Sequence, residues 1–178
     1  VMLPNATARQ LNSSAPALAF AHGFGIDADH YNYIGQDLAA QGYIVAFPHA
    51  HGAPTSLDLA LDQIFLVNHI VNESMNNPAS AFYGLSSSNK TAVLGHSLGG
   101  GTSLIAADPT VYPSSHYSQP SAIATLSLGT YTIPSALASV PHIRASTPAL
   151  LFTATQDCID PPAKNSEPVI HAAACGSV

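Results

Sequence analysis

The stretch Thr91 to Ala107, TAVLGHSLGGGTSLIAA, limits the possible folds of this chain more than any other. It begins as a short apolar run and ends in small residues at helical spacing. Between the two, Gly95 and Gly99 stand two residues before and two residues after Ser97. A serine that leads a sharp turn from strand into helix is held in strained backbone geometry, and only glycines at those two positions leave room for the chain to double back. Such a turn predicts a Ser97 hydroxyl exposed above a sheet, beside the positive end of a helix. That is the position of a nucleophile.

The rest of the chain repeats the alternation of strand and helix. Ala17 to Ala21 reads as a buried strand ending in His22-Gly23-Phe24-Gly25, and Tyr31 to Gln41 carries Ile34, Leu38 and Ala39 at helical spacing before Gly42 stops it. Tyr43 to Phe47 is the next strand, broken by Pro48. Thr55 or Ser56 opens a longer helix with Ala60, Ile64, Val67 and Val71 on one face, closed by Asn76-Asn77-Pro78. Ala92 to Leu94 leads into the serine turn, whose helix ends at Asp108-Pro109. A polar loop, a strand over Ile123 to Leu128 and a buried run over Pro148 to Thr155 follow, and Glu167 to Ala174 reads as a helix. Strands separated by helices predict an α/β fold: a mostly parallel sheet, helices on both faces, and a site at the carboxyl ends of the strands.

Composition limits what such a domain can do. The 178 residues are 47% hydrophobic, which suits a single domain over 1–178 with a real core. Charged residues make up 8% of the chain, against about 25% in ordinary soluble domains, and the net charge is -6 with only four Lys plus Arg. No basic patch for nucleic acid can be assembled from so few cations. No run approaches the roughly 18 apolar residues of a membrane span, and no leader segment is visible, so the chain reads as a mature soluble form. Cys158 and Cys175 are close in sequence. They read as a disulfide in an oxidising, extracytoplasmic compartment, with a loop closure contributing roughly 3 kcal/mol, against the alternative of two reduced core thiols. Asn5, Asn12, Asn72 and Asn89 head glycosylation sequons, several of which chance alone produces in so Ser/Thr-rich a chain.

The chemistry gathers at the strand ends. The HGFG loop directly follows a strand and can turn a backbone N–H toward the crevice of Ser97, which assigns one oxyanion donor to Phe24 and the second to Leu98. Alone, HGFG is an ordinary glycine turn; the serine elbow downstream in the expected order gives it its meaning. Chain order in this architecture is Ser, then Asp or Glu, then His, which points to Asp157 in Thr155-Gln156-Asp157-Cys158-Ile159-Asp160-Pro161. Asp160 is its rival. Asp157 is nearer the strand end, and a disulfide at Cys158 would pin its loop; otherwise either carboxylate faces solvent or caps the helix after Pro161-Pro162.

GHSLGG, the HGFG loop with its trailing LAAQGYIVAFPHAHG, and TATQDCIDPP together resemble the secreted serine-esterase branch of the α/β-hydrolases. That branch holds cutinase-like polyester hydrolases, chlorophyllase-like proteins and platelet-activating-factor acetylhydrolases. The resemblance runs from about Ala17 to Cys175. It implies an α/β-hydrolase fold, a nucleophile at Ser97, its acid at Asp157, and oxyanion donors at Phe24 and Leu98. By the same resemblance, Tyr131 falls where polyester hydrolases place an aromatic against the acyl group, and Ile159 on the facing wall; otherwise both are packing residues. The substrate class it implies is a small-molecule or polymeric carboxylic ester, cleaved by a secreted enzyme without a cofactor.

One departure stands against these matches. The family's histidine lies on a loop after one more strand beyond the acid, whereas here only His171 follows Asp157, on an expected helix. The sequence therefore reads as an α/β-hydrolase domain truncated at the C-terminus and, from its start at Val1-Met2-Leu3-Pro4, at the N-terminus as well. Two functions follow: a serine esterase whose histidine lies beyond Val178, or a catalytically impaired fragment or non-catalytic relative that binds apolar esters. Metal-dependent hydrolysis is disfavoured, because His49 and His51 form a pair without a third ligand at a plausible spacing.

Overall fold

The computed structural model describes residues 14–49, 55–112, 117–130 and 133–175. Strands β1 (Ala17–Ala21), β2 (Ile44–Ala46), β3 (Thr91–Ser97), β4 (Ala122–Leu128) and β5 (Ala149–Phe152) form one all-parallel sheet in the order β2-β1-β3-β4-β5. Between and after them run the helices α1 (Asn32–Ala40), α2 (Ser56–Asn76), α3 (Leu98–Ala106), α4 (Pro134–Ser139) and α5 (Ser166–Cys175). The fold is α/β, with helices on both faces of a parallel sheet.

The alternation of side chains along the strands sorts the core into two faces. Ala17, Ala19, Val93, Ile123 and Leu151 point to one face, where they pack with Ile70, Ile64 and Val67 of α2, Leu104 of α3 and Val169 of α5. On the opposite face Phe20, Leu94, Leu126, Leu150 and Phe152 share a cleft with Ile34 and Leu38 of α1. Among the described residues nothing covers that face beside β5, and Leu150 and Phe152 are 54% and 52% exposed.

Two helices show how sequence sets local structure. The α2 helix begins at a capping box: Thr55 Oγ1 accepts the Asp58 N–H at 3.1 Å, and Asp58 Oδ2 accepts the Thr55 N–H at 3.0 Å. Its buried residues, which include Ala60, Ile64, Val67 and Val71, recur at the expected spacing. The α3 helix is buried on every side from Gly99 to Ala106, and its small residues let it lie close to the sheet, α2 and α4 at once. The α4 helix falls between Leu128 and Pro148, where the sequence analysis assigns no element; Pro134 in its first turn, where a missing N–H costs nothing, starts it.

The order of the strands places the site. From β1 the chain moves outward through α1 to β2 on one face, then crosses through α2 on the other face to β3, on the far side of β1. The carboxyl ends of β1 and β3 thus flank a switch in winding direction, where such sheets open a crevice.

Beneath this crevice lies a buried polar knot. Gln63 of α2 is fully buried; its Nε2 donates to Leu94 O and to Ser103 Oγ, both at 2.9 Å. Its Oε1 accepts from Thr102 Oγ1 at 2.9 Å, and Ser103 Oγ donates to Gly99 O at 2.8 Å. Every hydrogen-bonding group of the amide that faces the protein is used, so removing it strands buried partners. Gln63→Leu should lower the unfolding free energy by about 2–3 kcal/mol, read as a lower urea midpoint at unchanged slope.

Farther from the crevice, Asp108 ties the end of α3 to the turn Val140–His142. Its buried carboxylate accepts from Thr110 N and Oγ1 at 2.8 and 2.7 Å and lies 3.0 Å from His142 Nδ1. Burial alone would raise this carboxyl, but the hydrogen bonds of His142, Thr110 and Ser139 outweigh it and hold it below its ordinary 3.8. A carboxyl depressed in the fold stabilises it above the unfolded-state value, and that contribution is lost as pH falls through the folded one. Asp108→Asn should therefore flatten the acid loss of stability below about pH 4, measured by urea unfolding at a series of pH values.

Candidate active site

Ser97 ends β3 with φ 52° and ψ −117°, a conformation an L-residue adopts only when its surroundings impose it. The surroundings are backbone. A Cβ on Gly95 would lie 2.1 Å from Gly99 O, and one on Gly99 would lie 2.1 Å from Ala21 O and 2.7 Å from His22 O. The first turn of α3 is thus pressed against the ends of both β1 and β3, and glycine is the one residue that fits. Although Ser97 occupies the N-cap position of α3, its side chain makes no capping bond, and the residue is half-buried. Leu98 follows as the first residue of the helix, where the N–H has no partner within the helix.

The loop after β4 closes in from the other side. His96 pairs with Leu126 but Ser97 with Leu128, so Ser127 is an extra residue that bulges out of the ladder at φ 45°. Gly129 N donates to Ser97 O at 3.0 Å, and a Cβ on Gly129 would stand 3.0 Å from Ser97 C and 3.2 Å from both Leu98 N and Asp160 Oδ1.

Asp157 and Asp160 occupy the loop after β5 and differ in surroundings. Asp157 Oδ1 accepts the N–H groups of Asp160 at 2.9 Å and of Ile159 at 3.0 Å. The Asp160 N–H, the Ser127 hydroxyl and the Ile159 N–H, helped by nearby His96, hold the Asp157 carboxyl below its ordinary value, so it is ionised throughout the neutral range. Asp160 instead packs its carboxylate against Gly129, beside the elbow.

The HGFG loop after β1 is held from both sides. His22, nearly buried, places Nδ1 2.9 Å from Gly23 O, and Ile26 N donates to the same oxygen at 3.3 Å. Gly23 N donates to Tyr31 Oη at 3.1 Å, and that oxygen lies 2.8 Å from His96 Nδ1. Phe24 and Ile159 are 81% and 83% exposed, so their side chains stand out from the rim.

Among the described residues, no histidine is hydrogen-bonded to Ser97. His22, His96 and His142 bond to Gly23, Tyr31 and Asp108, and His171 is exposed on the helix α5. Tyr131 and His51 lie outside the described residues. Cys158 is exposed and free, so no bridge to Cys175 is seen; the side chain of Cys175 is outside the described residues. Among the described residues no group of three or more His, Cys, Asp or Glu converges on a point where a metal ion could sit, and no helix is long and apolar enough to cross a membrane.

The sequence alone does not point to Tyr31, Ser127, Gly129 or His96 as parts of this site. Each acts across a tertiary contact, which periodicity does not report. The one local signal was His96 itself, next to the serine. No family model and no curated protein matches the chain. Gly99→Ala should destabilise the fold by about 3 kcal/mol or more, since backbone must move to admit the methyl; thermal unfolding measures it.

Proposed function

We propose that this protein is a serine hydrolase of carboxylic esters, built on an α/β-hydrolase fold. The observation that carries the reading is the strained Ser97 between Gly95 and Gly99, at the carboxyl end of a central strand and the start of a helix. In this reading Ser97 Oγ attacks the ester carbonyl carbon, the alcohol leaves, and water releases the acyl group from the serine. The N–H groups of Leu98 and Phe24 hold the oxyanion, at about 2.7–4 kcal/mol per donor by analogy with measured losses. Asp157, ionised and braced by two N–H groups and Ser127, orients the imidazole that takes the serine proton. That imidazole belongs to a histidine outside the described residues. Exposed Phe24 and Ile159 beside the elbow suit a bulky or polymeric ester.

A second reading is favoured by one observation: among the described residues no histidine bonds to Ser97. The 178-residue chain would then bind apolar esters without efficient turnover. A serine without its base keeps only the contribution of the oxyanion hole and binding, roughly 10³–10⁴ over water in the protease case.

Turnover of p-nitrophenyl esters and labelling by a fluorophosphonate separate the two. Under the esterase reading, Ser97→Ala abolishes both while unfolding at the same midpoint. Asp157→Asn lowers kcat by about 10⁴, and Asp160→Asn lowers it far less; the opposite ranking would give the acid's role to Asp160. Slow labelling of the 178-residue chain that a longer chain accelerates supports an external base. Failure of both forms to label leaves the binding reading.

A further inference from the structure

The donor loop has little stiffness of its own. Gly23 and Gly25 flank Phe24, and Gly25 sits at φ 67°, where few other residues go. An oxyanion donor is useful only if it is in place before charge develops, so the peptide between Gly23 and Phe24 must be held fixed. His22 and Ile26 restrain its carbonyl. The neighbouring N–H of Gly23 is restrained by Tyr31, from the short turn Ala28–Tyr31.

Tyr31 is buried, with its ring against Phe20 at 5.1 Å and His96 at 5.8 Å between centroids. Its oxygen accepts the Gly23 N–H at 3.1 Å and lies 2.8 Å from His96 Nδ1, a residue 65 positions away. With the imidazole neutral, the phenol donates to Nδ1 and all three groups are satisfied. Burial raises the phenol above its ordinary value, outweighing the Gly23 hydrogen bond, so the hydroxyl keeps its proton. The fit is tight: a Cβ on Gly23 would lie 3.0 Å from His96 Nδ1 and 3.2 Å from Tyr31 Oη. His96 precedes Ser97 on β3, so the chain of contacts refers the donor loop to the strand that carries the serine.

We propose that Tyr31, anchored by His96, is a positioning residue that fixes the Gly23–Phe24 peptide relative to Ser97, so that donor loop and nucleophile strand form one rigid unit. This rests on the reading of Ser97 as nucleophile and the Phe24 N–H as donor. Neither side chain touches the ester in this role.

The test follows p-nitrophenyl acetate turnover and, independently of turnover, amide hydrogen exchange at Gly23 and Phe24 by NMR. Tyr31→Phe keeps the ring and removes the hydroxyl; kcat should fall about tenfold with KM nearly unchanged, and both amides should exchange faster. His96→Ala should match it. His96→Asn, which keeps a hydrogen-bonding atom near the place of Nδ1, should recover most of the loss. The double variant Tyr31→Phe/His96→Ala should be no slower than either single one, since both break the same link. Unchanged kcat and unchanged exchange in Tyr31→Phe and His96→Ala overturn the positioning role and leave the esterase reading standing. Wild-type turnover that survives Ser97→Ala, or no turnover by either the 178-residue or a longer form, overturns the esterase reading instead, and the exchange rates alone then decide whether Tyr31 holds the loop.

Discussion

The close approach of the first turn of α3 to the carboxyl ends of β1 and β3 governs everything else at this end of the molecule. Gly99 lies so near Ala21 O and His22 O, and Gly95 so near Gly99 O, that no other residue fits at either place. This contact forces Ser97 into its unusual backbone conformation, aims the start of α3 at the crevice, and brings the HGFG loop beside the serine's strand. The strain at such a residue, of order 1–3 kcal/mol, is sustained because the core beneath holds the helix down.

That hold is polar as well as apolar. Around Gly99 the helix is too rich in small residues to be fixed by bulky side chains, and Gln63 reaches across from α2 to Leu94 O, Thr102 and Ser103. The amide joins the strand, the helix and its neighbour in one buried node. A satisfied node of this kind favours a single arrangement, whereas an apolar contact between small residues would tolerate several. The loops above are fixed in the same way, by directed bonds at His22, Tyr31 and Asp157.

Much of this was legible in the sequence wherever the determining contacts are local. The β1 strand, the capped start of α2, the α5 helix around His171 and the sharp turn at Ser97 all follow from periodicity, capping and glycine placement. Some boundaries moved: β3 continues past Leu94 to Ser97 because pairing to β1 and β4 carries it on, and β2 contracts to Ile44–Ala46. What could not be read was set by partners distant in sequence. Tyr31 and His96 meet although 65 positions apart, Ser127 bulges because of its register with β3, and α4 is too short to show a period. The expected Cys158–Cys175 bridge rests on spacing and an oxidising compartment, neither of which reports the direction in which a loop cysteine points; Cys158 faces solvent as a free thiol.

Ser127 makes two demands that few residues meet together. Its φ of 45° favours glycine, asparagine or aspartate, while its hydroxyl helps to hold the Asp157 carboxylate ionised. Glycine would relieve the backbone and forfeit the donor. Aspartate would set a second negative charge beside the first, and threonine or valine would bring a branched Cβ to a positive φ. Asparagine, which tolerates this backbone and carries an N–H donor, is the substitution that keeps both features. The bulge narrows the evolutionary choices at a residue that itself performs no chemistry.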